Sequence, residues 1–76
     1  MLRRFLWKGL DLDRFEIVAI WPQNKTDAVI LMRSRWREED LVPWCVQFRG
    51  QGRYFWTAGE AIDYCVGRGF KLETEV

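Results

Sequence analysis

Among the 76 residues of this chain, the arginines and the aromatic residues are the best candidates for binding a partner molecule. There are nine arginines against three lysines, together with five tryptophans. Arginine and tryptophan are enriched among the residues that dominate binding energy at protein interfaces, and arginine also stacks on rings. The residues that fall into such a pattern are Arg33, Arg35, Trp36, Arg37, Arg49, Arg53, Tyr54 and Trp56. We expect these residues to form a partner-binding surface.

A β-strand would bring several of these arginines to one side. Arg33, Arg35 and Arg37 occupy alternate positions, with Ser34 and Trp36 between them. Because successive side chains of a strand point to opposite faces, the three guanidinium groups would project from the same face of a sheet. The sequence therefore predicts a sheet face on which arginines lie beside aromatic rings.

Catalytic chemistry has few candidate residues. The chain has no histidine, the commonest general base, and only two cysteines, Cys45 and Cys65. Two thiols cannot complete a four-ligand zinc site, and no residue of the sequence is placed to activate either as a nucleophile. The adjacent carboxylates of residues 38–40 are typical of a solvated loop rather than of an acid–base pair. We predict a protein that is not an enzyme and that needs no metal and no cofactor.

The elements that would position the arginines follow from apolar alternation and turn residues. Strands are predicted at residues 15–21, 28–36, 44–48, 54–57 and 70–76. Polar residues 23–27 and the Gly50-Gln51-Gly52 turn would close two hairpins. The predicted fold class is α+β: an antiparallel sheet of about five strands with one helix packed on one face, in the order β-β-β-β-α-β. Residues 1–14 stay uncertain, although Leu10 and Leu12 could begin another strand.

A capping box predicts where the helix begins. Thr57 is followed three residues later by Glu60, so each side chain can bond to the backbone of the other. Apolar residues then recur at helical spacing up to Val66. Gly69 is the preferred stop, because Phe70 behind it supplies the apolar contact that accompanies a left-handed glycine cap.

The turn of the second hairpin decides which rings accompany Arg49. A two- or four-residue loop keeps Phe55 on the side of Phe48 and places Tyr54 and Trp56 beside Arg49. A three-residue loop places Arg53 and Phe55 there instead, and the sequence leaves both registers open.

The two cysteines are predicted to lie on different sides of the sheet. Cys45 alternates with Trp44 and Val46, whereas Cys65 lies on the apolar face of the helix. Because a disulfide needs Cα atoms within roughly 7 Å, we expect no bridge. Cys65 is predicted to be a small buried residue, whereas Cys45 faces the other way and could be exposed enough to react.

Composition limits the class of protein and of partner. A hydrophobic content of 49% with a net charge of +1 is typical of one packed domain spanning residues 1–76. Purely apolar runs reach five residues, so we expect a soluble, cytoplasmic protein. The sequence pI of about 7.8 lies below the value of about 9 that is usual for nucleic-acid-binding domains. We therefore expect a protein partner or a homodimer, as for an adaptor, accessory subunit or inhibitor. The alternative is a nucleic acid bound by the same arginine and aromatic face.

Overall fold

A computed structural model describes residues 10–36 and 38–73 of the chain, which fold into an antiparallel sheet followed by a helix. The elements are β1 (Phe15–Pro22), β2 (Ala28–Ser34), β3 (Trp44–Phe48), β4 (Gln51–Phe55) and α1 (Ala58–Gly67). The strands lie in the order β1-β2-β3-β4, so β1 and β4 are the two edges of the sheet. The predicted α+β class is confirmed for the described residues, with four strands rather than about five.

In the loop of the first hairpin, between β1 and β2, a side-chain oxygen accepts hydrogen bonds from backbone N–H groups. Asn24 Oδ1 accepts hydrogen bonds from the backbone N–H groups of Thr26 and Asp27, at 2.9 and 2.8 Å. Such an Asx turn explains why a polar run reverses the chain between two apolar strands. Within β1 the pairing with β2 shifts between Ile17 and Ala19, which leaves a β-bulge at Val18.

The second hairpin has a two-residue loop formed by Arg49 and Gly50. Their φ angles are 51° and 78°, and Phe48 pairs with Gln51. Two residues with positive φ are typical of a type I′ turn, whose twist matches that of the flanking strands. The predicted Gly50-Gln51-Gly52 turn is wrong, because β4 begins at Gln51 instead of Tyr54.

The helix begins and ends as its sequence predicts. Thr57 Oγ1 accepts from the backbone N–H of Glu60 at 3.1 Å, and the Glu60 carboxylate accepts from the Thr57 N–H at 3.3 Å. At the other end Gly69 has a φ of 79°, its N–H bonds to Val66 O, and the N–H of Phe70 bonds to Cys65 O. This pair of bonds is a Schellman motif, so both the capping box and the Gly69 stop are confirmed.

Both faces of the sheet are apolar. A helix-side core forms beneath α1, and a second core on the opposite face includes Phe15, Ile30, Met32 and Cys45. The helix-side core consists of Trp21, Val29, Leu31, Val46, Ala61 and Cys65. Strand β2 is therefore buried on both sides, and the prediction of a second face carrying arginines is wrong. The first five residues of β2 are all apolar, and successive side chains of a strand point to opposite faces. Apolar side chains of β2 therefore lie on both faces of the sheet.

The chain on either side of these elements packs on the sheet without joining it. Residues 70–73 form no strand, and instead the side-chain amide of Gln23 exchanges two hydrogen bonds with the main chain of Lys71, at 2.8 and 2.9 Å. The predicted fifth strand is wrong over these four residues, and residues 74–76 lie outside the described part. At the other end Leu10 and Leu12 pack on the second core from the segment before β1, which forms no strand.

Candidate interaction surface

Arg33 is placed on the helix side of the sheet, where its charge is already paired. Its Nη2 and Nε atoms donate to Glu16 Oε1 at 2.9 and 3.1 Å, and its guanidinium lies 5.6 Å from the ring centroid of Trp44. Neighbouring strands hold these side chains together, since Arg33 pairs with Glu16 on one side and with Trp44 on the other. Arg33 therefore acts in the packing of the sheet.

Arg49 lies in the tight turn and joins the two hairpins. Its guanidinium donates to Asp27 Oδ2 at 3.0 Å, and it lies 5.1 Å from the ring centroid of Phe48. These hydrogen bonds from Arg49, assisted by one from Asn24, hold the pKa of Asp27 below its ordinary value. Arg49 is thus at the opposite end of the sheet from Trp36, and neither Tyr54 nor Trp56 accompanies it as the sequence predicted for this loop length.

The 35–43 loop carries an exposed tryptophan. Ser34, fully buried, donates through Oγ to the Asp40 carboxylate and accepts from the backbone N–H of Trp36. Trp36 is 51% exposed, and Arg35 is exposed with its Nε bonded to Leu12 O at 3.3 Å. Arg37, the third predicted arginine of this stretch, lies outside the described residues.

An open groove of about 610 Å³ borders Trp36 and is mainly acidic. The groove is lined by Asp11, Asp13, Arg14, Trp36, Glu39 and Asp40. Within residues 10–36 and 38–73, no group of three or more carboxylates and thiols is close enough to hold a metal ion. The carboxylates give this end of the sheet the opposite charge to the one expected from the arginines.

Strand β4 is the exposed edge of the sheet. Residues Gln51–Tyr54 are all exposed, and no described residue pairs with the outer side of the strand. Tyr54 is 51% exposed, and Trp56, directly after the strand, is 63% exposed. In a hairpin with a two-residue loop, the pairs that exchange hydrogen bonds start with Phe48 and Gln51 and recur at every second residue. The backbone groups of Gly52 and Tyr54 therefore point outward, away from β3.

Tyr54 lies on the side of β4 away from the helix. Its ring centroid is 6.2 Å from that of Phe15, although Phe15 belongs to the other edge strand. With about 4.8 Å between neighbouring strands, these rings must reach over the middle of the sheet. Small side chains lie beneath them there, since Ser34 and Cys45 face the same way and are buried.

Both cysteines are buried and unbridged, and they lie on opposite faces as predicted. Burial raises the pKa of Cys45 from its ordinary value of 9.0 to about 11, although hydrogen bonds with the Arg53 backbone and the Tyr54 side chain oppose the shift. Burial also raises the pKa of Cys65. Cys45 is not exposed, as the sequence had allowed, because its side chain packs in the second core with Phe15, Ile30 and Met32.

Arg53 lies on the helix side of β4, next to an arginine that sequence reasoning missed. A small cavity of about 30 Å³ is lined by Val46, Phe48, Gln51, Arg53, Tyr64, Arg68 and Phe70. Arg68 donates to Tyr64 Oη at 2.8 Å and lies 5.6 Å from the ring centroid of Phe70. The Tyr64 and Arg68 spacing of four residues is a helical contact visible in the sequence, but only the fold brings it to Arg53.

No family model, curated protein or solved structure is significantly similar to this chain. None of the helices in the described ranges is long and apolar enough to cross a bilayer. Function has to be inferred from the surfaces of this chain itself, and β4 with the adjoining loop end of the sheet is the candidate.

Proposed function

We propose that this protein is a non-enzymatic interaction module that binds a partner protein along β4. One observation carries the proposal: the edge strand β4 is exposed over Gln51–Tyr54 and leads directly into the exposed Trp56. An uncovered edge offers unpaired backbone groups to another chain, and a neighbouring tryptophan and tyrosine supply the side chains that most often dominate interface energy.

The other edge of the sheet is protected, which makes the exposure of β4 distinctive. Strand β1 contains a bulge at Val18 and ends at Pro22, which has no N–H to donate. The side chain of Gln23 also binds the main chain at Lys71. Bulges and prolines are two means by which sheets blunt their edges against other chains. Gln51–Phe55 carries neither, so partner binding is expected at this edge.

A protein partner fits the charges around this surface better than a nucleic acid. Arg33 and Arg49 are occupied by Glu16 and Asp27, and carboxylates line the groove beside Trp36. Binding to a polyanion depends on several unpaired basic groups that face the same phosphate backbone. Among the described arginines, Arg35 follows the end of β2 whereas Arg49 lies in the turn at the opposite end of the sheet, so we favour a protein partner.

Site-specific photo-cross-linking tests this proposal with a matched pair of positions. Trp56 and Val66 are 63% and 62% exposed, but Trp56 adjoins β4 whereas Val66 lies on the helix. Benzoylphenylalanine at position 56 should capture a discrete protein in the native cell, and excess unlabelled wild-type protein should compete for it. The same probe at position 66 should capture it at least about tenfold less well.

Two results would contradict the proposal. Equal capture from both positions would show that β4 is not the interface. Tryptophan fluorescence titrations with single- and double-stranded oligonucleotides at two salt concentrations address the alternative. Micromolar binding that weakens steeply with salt would indicate phosphate contacts instead of a protein partner.

A further inference from the structure

We infer that the partner contributes an extended acidic segment, which adds to the sheet as a strand beside β4 with a carboxylate facing Arg53. This inference rests on the proposed function and specifies the chemistry of the bound segment. It combines three features of the structure: the outward backbone groups of β4, the two arginines on its helix side, and the position of Arg53 at the middle of the strand.

The backbone of β4 can pair with a short extended segment. The outward N–H and C=O groups of Gly52 and Tyr54 would exchange hydrogen bonds with the main chain of an added strand. The side chains of Gln47 and Cys45 pack closely against the backbone of Gly52: a Cβ at this position would lie 3.0 Å from Gln47 Oε1 and 3.4 Å from Cys45 Sγ. Specificity must then come from side chains on the two faces of the added strand.

The helix side of β4 favours an acidic residue at the position opposite Arg53. Arg53 and Arg68 line the same small cavity, and no carboxylate is among its lining residues. Neither arginine is in an ion pair with a described residue. The Tyr64 hydroxyl and the rings of Tyr64 and Phe70 hold the Arg68 guanidinium in place. A carboxylate projecting from the added strand would meet two positive charges there, one of which, Arg68, is already held in place.

Arg53 also disfavours a second copy of this chain as the strand that pairs with the outer edge of β4. In the symmetric antiparallel register, Gly52 of one copy would pair with Tyr54 of the other, and the two Arg53 side chains would face each other. Like charges directly opposite one another destabilise a strand pair, whereas opposite charges stabilise it. Charge complementarity therefore favours a different chain with an acidic residue at this position.

Amide hydrogen exchange with a model peptide tests this inference. The probe is an acetylated octapeptide amide of alternating threonine and glutamate, and the control peptide has glutamine in place of every glutamate. At saturation, the glutamate peptide should slow exchange of the Gly52 and Tyr54 amides by about tenfold or more. It should bind about fivefold more tightly than the glutamine peptide, since cross-strand charge pairs contribute up to about that factor. Exchange at Gly52 and Tyr54 that does not slow, or equal affinity for the two peptides, would overturn the inference.

Matched variants of the protein locate the charge effect. Arg53→Gln should remove the preference for the glutamate peptide, whereas Arg35→Gln, an exposed arginine away from β4, should leave it unchanged. Loss of the preference in both variants would mean that the peptide senses only the total charge, which would overturn the inference. If cross-linking from position 56 succeeds while the peptide fails to protect β4, the proposed function stands and strand addition is wrong. If the peptide binds and cross-linking fails, the acidic strand site stands and the proposed interface around Trp56 is wrong.

Discussion

Arginine has three different roles in this protein, and neighbouring residues decide which. Arg33 is held by Glu16 and packs on Trp44, so its charge is used within the sheet. Arg49 joins the two hairpin turns through Asp27. Arg53 is the one of these three that lines a cavity without a carboxylate among its lining residues. A side chain is therefore a candidate for recognition when the fold leaves its charge uncompensated, whatever its spacing in the sequence.

The thiol of Cys45 should make the stability of the protein fall at high pH. Its folded pKa is about 11, against an ordinary value of 9.0. Between these values the unfolded chain loses the thiol proton while the folded chain keeps it, so the unfolded state is favoured as pH rises. The stability contributed by the neutral buried thiol is complete below pH 9 and is lost by about pH 11, an effect on the order of 2 kcal/mol.

Urea unfolding of the wild type and of Cys45→Ala at pH 8 to 11 measures this effect. The other titrating groups are shared, so the difference between the two proteins isolates the thiol. The wild type should lose its advantage over the variant as pH rises. A difference that stays constant across this range would show that Cys45 ionises normally in the folded protein.

At the scale of elements, turns decide where the strands begin and which face each side chain takes. The two-residue loop at Arg49 and Gly50 starts β4 three residues earlier than expected. Strand periodicity is two, so loop length alone selects whether Tyr54 or Phe55 faces the helix. The helix was easier to predict, because its capping box and glycine stop involve residues only three to five positions apart.

Two glycine substitutions test the importance of backbone conformation in these elements. Gly50 has a φ of 78°, and a Cβ there would have no neighbour within 4 Å, so Gly50→Ala should cost about 1 kcal/mol through backbone strain alone. Gly67, the last residue of the helix, has equal space but no positive φ. Gly67→Ala should therefore stabilise the protein by about 0.5 kcal/mol.

The free energy of unfolding of both variants, measured by urea titration, separates the two effects. We expect the free energy of unfolding to fall for Gly50→Ala and to rise for Gly67→Ala, although the added methyl group meets no neighbouring atom at either site. A Gly50→Ala variant as stable as the wild type would contradict the type I′ turn and with it the register of β4.

For the molecule as a whole, the sheet is buried on both faces, although residues 10–36 and 38–73 place only one helix on it. The helix closes one face, and Leu10 and Leu12 pack on the other. The loop end of the sheet carries Trp36 and the acidic groove, whereas the turn end carries Arg49. Of the two sheet edges, β4 is the one that carries neither a bulge nor a proline, and it is exposed over Gln51–Tyr54.

The Arg53 side chain should also control whether the molecule associates with itself. Replacing it with threonine removes the like-charge pair from the symmetric β4 register and introduces a good strand former. We expect Arg53→Thr to raise the self-association constant about fivefold over the wild type.

Sedimentation equilibrium over a range of protein concentrations measures this constant. Arg35→Thr serves as the control, because Arg35 is exposed but does not belong to β4. An unchanged constant for Arg53→Thr, or an equal rise in both variants, would argue against β4 as an edge open to other chains.

Features that depend on residues close together in the chain can be predicted from the sequence. The fold class, the helix from its Thr57 cap to its Gly69 stop, and the separation of the two cysteines all follow from local hydrogen bonding and from strand or helix period. Which arginines are left without an ion pair depends instead on contacts made in the folded protein. The physical reason is that these contacts join residues far apart in the chain. Arg33 lies 17 residues from its partner Glu16, and Arg49 lies 22 residues from its partner Asp27. Arg53 and Arg68 line the same cavity only because α1 packs against the sheet. Such contacts depend on strand register and turn length, and one residue more or less in the Arg49-Gly50 loop would turn Arg53 to the other face of the sheet.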